Sequence, residues 1–217
     1  MPAGPNVSVP AMADVIRAIE CAPRADDWPS VRKLVIPVFP RVRALPGGSP
    51  EPLRVLLPPG VVVGFGVDIG PAFMAVSREQ LGLLGVTEAD LVGQALANLL
   101  ARAEQVEPTS VVHESFHGLP LVGLQTGHSI GSTLVFVPDQ LARLFGRMPR
   151  LFMAPVRDVL LGLPNDVDPE LAAWLFEDFA SQDPNGLAPI GYRFDGQRVV
   201  TASLSTPALP AARQRLA

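Results

Sequence analysis

The chain of 217 residues contains one cysteine, Cys21, and one lysine, Lys33. A single cysteine excludes an intrachain disulfide and fits a reducing cytoplasm. The 17 basic residues are outnumbered by 21 acidic ones, for a net charge of -4. No basic stripe of the kind that marks nucleic-acid binding is present, so nucleic acid is not an expected partner. The one local basic excess, Arg32 and Lys33 with Arg41 and Arg43, reads as the solvated side of a strand. No apolar run approaches the roughly 18 residues of a membrane-spanning helix, and the acidic balance argues against anionic membrane surfaces. The opening Met1-Pro2-Ala3-Gly4-Pro5 has no basic cluster followed by an apolar stretch, so no signal peptide is expected. These absences lead to the expectation of a soluble, cytoplasmic protein.

Phosphate-binding loops are missing as well. Val63-Gly64-Phe65-Gly66-Val67-Asp68-Ile69-Gly70 is rich in glycine but lacks the GxGxxG spacing, and no GxxxxGK[ST] loop occurs. The glycines read instead as places for bulges or close backbone packing. Cys21, near Asp26 and Asp27, has no histidine nearby in sequence and reads as an ordinary thiol rather than a nucleophile.

What the chain does hold is 48% apolar residues, enough to close a core without disulfide or metal, and 24 prolines with 19 glycines spread along its length. Many short elements joined by tight turns are implied. Residues 1–10 are expected to be disordered, 11–205 to form a single α+β domain with a possible internal boundary near 105–110, and 206–217 to form a flexible tail. Met12, Val15, Ile16 and Ile19 have the spacing of a short amphipathic helix. Extended segments follow at 33–42, 53–57, 61–67 and 73–76, with Pro37 and Pro40 suited to an edge strand. Pro46-Gly47-Gly48-Ser49-Pro50 is a connector.

Ser77 with Gln80, and Thr87 with Asp90, have the spacing of two capping boxes. They predict a short helix stopped by Gly85 and a longer one running to about Glu104. Leu91, Ala95, Leu99 and Val92, Leu96, Leu100 form its apolar face, and Asn98 reads as solvent-side or locally bonded. Ser110 to His117 and Pro120 to Gln125 suggest a hairpin turned at Gly118. Thr133 to Val137 reads as a strand, Pro138 opens a short helix, and Leu151 to Ala154 is extended. Asp168-Pro169 starts a helix with Leu171, Trp174, Leu175 and Phe179 on its buried face. Asp195-Gly196 turns a last pair of strands. The fold class expected is α+β, a mixed or antiparallel sheet with several short to medium helices packed against it.

The run Val76-Ser77-Arg78-Glu79-Gln80-Leu81, leading through Gly85-Val86-Thr87 to Ala95-Leu96-Ala97-Asn98-Leu99, resembles the YtpQ-like group of conserved bacterial proteins of unknown function. Pro155-Val156-Arg157-Asp158-Val159-Leu160 extends the likeness more loosely. It spans about residues 60 to 180. The resemblance implies the same order of elements, but no activity, cofactor or catalytic residue.

The most direct pointer to chemistry is His113-Glu114-Ser115-Phe116-His117, a match to the HExxH zinc-protease signature. That chemistry needs a helix, on which both histidines reach one zinc while Glu114 activates a water. Val111 and Val112 before the match, and Gly118-Leu119-Pro120 after it, favour a strand, which would hold His113 and His117 roughly 13 Å apart. The extended signature would place a third ligand at Gly123. Asp139, Glu170, Glu177 and His128 are the other potential ligands. The primary expectation is therefore no catalytic residue, metal or cofactor, with zinc on His113, His117 and His128 and Glu114 as base the alternative.

Two further features have functional readings. The polar loop around Gly127, His128 and Ser129 could sense a small ligand, and Arg157 with Asp158 reads as a structural pair. The function expected is a non-catalytic module that binds a protein partner, self-associates or serves as an accessory domain, with Phe73, Trp28 or Phe116 as contact residues. The alternative is a zinc-dependent hydrolase.

Overall fold

The computed structural model describes residues 12–23, 27–40, 51–70, 72–116, 118–127, 129–183 and 186–204. The expected disordered N-terminus, the connector at 46–50 and the tail lie outside the described residues, as do Arg41, Arg43, His117 and His128. The fold is α+β, with two antiparallel sheets and helices packed on them.

The first sheet is built on β3 (Val61–Asp68). β1 (Val35–Val38) pairs along one stretch of it, with Val35 opposite Val67. β2 (Val55–Leu57) pairs with its first residues and β4 (Phe73–Ala75) with its last. Pro37 lies in β1, an edge strand, where its missing N–H costs no ladder bond. Gly66 of β3 is a close-packing site, since a Cβ there would stand 3.0 Å from the ring of Phe73.

Both capping boxes form. Ser77 Oγ accepts from the Gln80 amide at 3.1 Å and Gln80 Oε1 accepts from the Ser77 amide at 2.8 Å, opening α3 (Arg78–Leu84). Gly85, at φ 65°, ends it in the left-handed conformation that glycine adopts without a steric penalty. Thr87 and Asp90 make the same exchange at the start of α4 (Glu88–Glu104). The Thr87 hydroxyl also donates to the Asp90 carboxylate, and this bond, with that from the Thr87 amide, holds its pKa below the usual value.

Leu91, Ala95, Leu99 and Ala103 recur along one face of α4 and are fully buried. Asn98 does more than the sequence reading gives it. Its Oδ1 accepts a local bond from Gln94 Nε2 at 2.9 Å, but Nδ2 also reaches well beyond the helix, donating to the carbonyls of Arg32 and Val35, both at 2.7 Å. The amide thereby joins α4 to the turn after α2 (Trp28–Val31), which follows α1 (Met12–Glu20), and to the first residue of β1. One turn further on, Arg102 ion-pairs with Asp68 at the end of β3. A short-range pattern cannot reveal such bonds, whose partners lie more than 30 residues away.

The second sheet consists of three hairpins side by side. β5 (Val112–Phe116) pairs with β6 (Leu119–Gln125), β7 (Arg150–Met153) with β8 (Val159–Pro164), and β9 (Ile190–Phe194) with β10 (Val199–Ser203). The middle hairpin joins the others through β6·β8 and β7·β9, giving the order β10-β9-β7-β8-β6-β5. Residues alternate between the two faces as a pleated strand requires. Val122, Leu124, Phe152, Leu160, Tyr192 and Phe194 enter a core shared with the first sheet, α4 and α5 (Pro138–Phe145). Leu151, Met153, Leu161 and Leu163 enter a second core under α6 (Pro169–Ser181). The first core takes residues from both sides of 105–110.

Three local readings are corrected. The stretch 133–137 is not a strand, because Gly131–Phe136 forms a 3-10 helix. Its buried backbone is satisfied locally, by Thr133 N–H to Ile130 and Val137 N–H to Leu134, both at 3.0 Å. β8 carries no strand signature in the sequence, for an apolar run buried on both faces has no alternation to read. Trp174 does not belong to the buried face of α6, which uses Ala172, Ala173, Leu175 and Phe176, and it is 47% exposed.

Candidate functional site

The HExxH match falls on β5, where His113 stands opposite Val122 and Glu114 opposite Leu121. Consecutive strand residues project to opposite faces. His113 therefore shares the side of Val122, and Glu114 the side of Leu121 and Phe116, whereas a zinc site needs ligand and base to converge. Gly123, where a third ligand would fall, pairs with Val112 and offers no side chain. Asp139 starts α5 on one side of the sheet, while Glu170 and Glu177 belong to α6 on the other. Among the described residues no three His, Cys, Asp or Glu side chains are grouped to hold a metal. His117 and His128 lie outside those residues.

The loop at 126–131 is organised by Asp158. Its carboxylate accepts from the Thr126 hydroxyl, from the Gly127 amide at 2.6 Å and from the Gly131 amide at 3.4 Å. Gly127 at φ 68° and Ser129 at φ 58° are both left-handed. The serine conformation costs about 1 kcal/mol and persists because the surroundings hold it. The amides that could have met an external anion thus already bind an internal one. Arg157 places its guanidinium carbon 4.2 Å above the centre of the Phe73 ring. The two neighbours, read from sequence as one pair, secure two different segments.

The most open surface of the second sheet is at β5. Its outer edge pairs with no strand among the described residues, and Val112, His113, Glu114 and Ser115 are all exposed. α6 stops short of covering it. Instead Trp174 stacks on Phe116, with ring centroids 5.7 Å apart and planes 27° from parallel. Phe116 also packs with Leu119 and Leu121 against the second core. Of the three expected contact residues, Phe116 lies on this surface, whereas Trp28 packs on the first core and Phe73 lies beneath Arg157. Sequence periodicity missed Trp174 because an aromatic beside Leu175 and Phe176 on a helix is hard to tell from a core residue.

Elsewhere, Phe39, Pro40, Val62, Ala154, Leu187, Ala188, Ile190 and Tyr192 line an apolar pocket of about 40 Å³. That holds a few waters, far below the few hundred Å³ of a typical ligand site. Burial pushes the Tyr192 phenol pKa up, so the hydroxyl there is neutral at ordinary pH. No protein-family model, curated protein or solved structure matches the chain. The likeness to the YtpQ-like group rests on the residues quoted for it.

Proposed function

We propose that the chain is a non-catalytic protein-binding module acting in the cytoplasm, and that its partner lies along β5 and over the Phe116–Trp174 stack. The observation that carries this reading is a strand exposed on both faces from Val112 to Ser115 and, among the described residues, unpaired along its outer edge, beside an exposed tryptophan. Unpaired strand edges offer a row of N–H and C=O groups to an extended partner, and tryptophan is prominent among residues that dominate interface energy. The divergence of His113 and Glu114 on β5 supports binding over catalysis. The cytoplasmic placement is supported by the single free thiol, Cys21.

A photo-crosslinking residue at Val112 should capture a defined partner in cells that make the protein naturally. The same residue at Leu83, an equally open site on α3, should not. Identical adducts at both positions, or adducts at Val112 that persist after Trp174→Ala, would remove the proposal. Self-association through β5 would appear as adducts with a second copy.

The metal content separates this reading from the hydrolase alternative. Protein purified without tag or chelator should carry far less than one zinc per chain by elemental mass spectrometry. About one zinc per chain, lost in a variant with both His113→Ala and His117→Ala, would instead support a zinc hydrolase with Glu114 as base.

A further inference from the structure

We infer that the partner segment received by this surface is cationic and carries apolar side chains, an inference that rests on the binding surface proposed above. α6 contains no lysine or arginine. Its exposed face carries Glu170, Trp174 and Asp178 at successive steps of four residues, with Glu177 one turn after the tryptophan. These carboxylates span about 12 Å of helix, centred on the exposed ring. Glu114 adds a charge from the strand, on the same face as Phe116 and two residues away from it. Among the described residues none of the four has an ion-pair partner.

On the same face of the sheet Arg193 projects from β9, four strands away, at a distance of roughly 19 Å. Its guanidinium is engaged with the carbonyl and side chain of Asn165. The opposite edge, β10, carries no charge of either sign. The acidic field is therefore specific to the edge that has the aromatic platform. A second copy docking there by two-fold symmetry would set these carboxylates against their own kind, which disfavours it. An arginine or lysine can meet the carboxylates and also stack on Trp174, while neighbouring apolar side chains cover Val112 and Phe116.

The probe is a short peptide of alternating arginine and leucine, compared with serine–leucine and glutamate–leucine versions. A Trp28→Phe background leaves Trp174 as the sole tryptophan, so its fluorescence reports binding directly. The arginine peptide should shift Trp174 emission, and its affinity should fall about tenfold between roughly 0.05 M and 0.5 M salt. The triple variant Glu170→Gln, Glu177→Gln, Asp178→Asn should weaken it by about tenfold. Glu79→Gln, Glu104→Gln, Glu107→Gln, which removes the same charge elsewhere, should leave it unchanged. Equal binding of the serine peptide, or equal weakening by the control triple, would overturn the cationic partner while leaving the surface itself intact. No binding of any peptide would also overturn it, and the crosslinking at Val112 would then decide separately whether the surface binds at all.

Discussion

Replacing Gly131 with alanine is expected to destabilise the protein by about 3 kcal/mol, among the largest effects of any single methyl group in this chain. A Cβ at this position would run into the backbone carbonyl of Asp158, with the carbonyl carbon only 2.6 Å away. Side chains can rotate out of such a clash, but this carbonyl belongs to the segment that enters β8, and the Gly131 amide itself bonds the Asp158 carboxylate. Relief would have to come from separating the 3-10 helix from β8. Thermal unfolding should shift downward by about 6–12 °C for a domain of this size. Gly93→Ala supplies the contrast. Gly93 lies exposed in the interior of α4 with nothing within 4 Å of its would-be Cβ, so alanine there should raise stability by about 0.5–1 kcal/mol. Urea midpoints that move in the same direction for both variants would contradict the close approach.

Phe152→Ala should cost about 3–5 kcal/mol. The ring is fully buried in β7, near the middle of the six-stranded sheet, with Phe145 of α5 at 4.9 Å in an edge-on arrangement and Phe194 of β9 at 6.1 Å. It also lies over Gly162 of β8, whose would-be Cβ would sit 2.8 Å from the ring. The cavity left by alanine is therefore bordered by a helix, two strands and a position with no side chain to fill it. Equilibrium denaturation should show a lower midpoint with the same slope. A loss below about 1 kcal/mol would mean that the core relaxes around the gap.

Much of this architecture could be read from local chemistry. Ser77 with Gln80, Thr87 with Asp90, and Asp168 with Pro169 placed three helix starts where the structure has them, because a cap is a bond between residues two or three apart. The β5–β6 hairpin was legible for the same reason, through the turn at Gly118. Asp158, Asn98 and Trp174 were not legible in their actual roles. Each acts through partners that the chain brings together from a distance: the 126–131 loop, the carbonyls of Arg32 and Val35, and Phe116. The stretch 133–137 reads as a strand because a continuous apolar run has no alternation to distinguish strand from helix. The candidate surface is half visible in the sequence: Phe116 reads as a contact residue, while the acidic helix face beside it emerges only when α6 is laid on the sheet.

The side-by-side arrangement of three hairpins also sets an order in time. During synthesis β5 and β6 can close on each other as soon as Gln125 has emerged, since their pairing needs only the turn between them. The inner side of β6 must then wait for Val159 to Gly162 of β8, and β7 must wait for β9. Until β8 arrives, the first hairpin presents two open edges to whatever is nearby, and only one of them is closed by the finished sheet. The strand proposed to meet a partner is thus the outer member of that first hairpin, whose free side is not claimed by any later strand among the described residues.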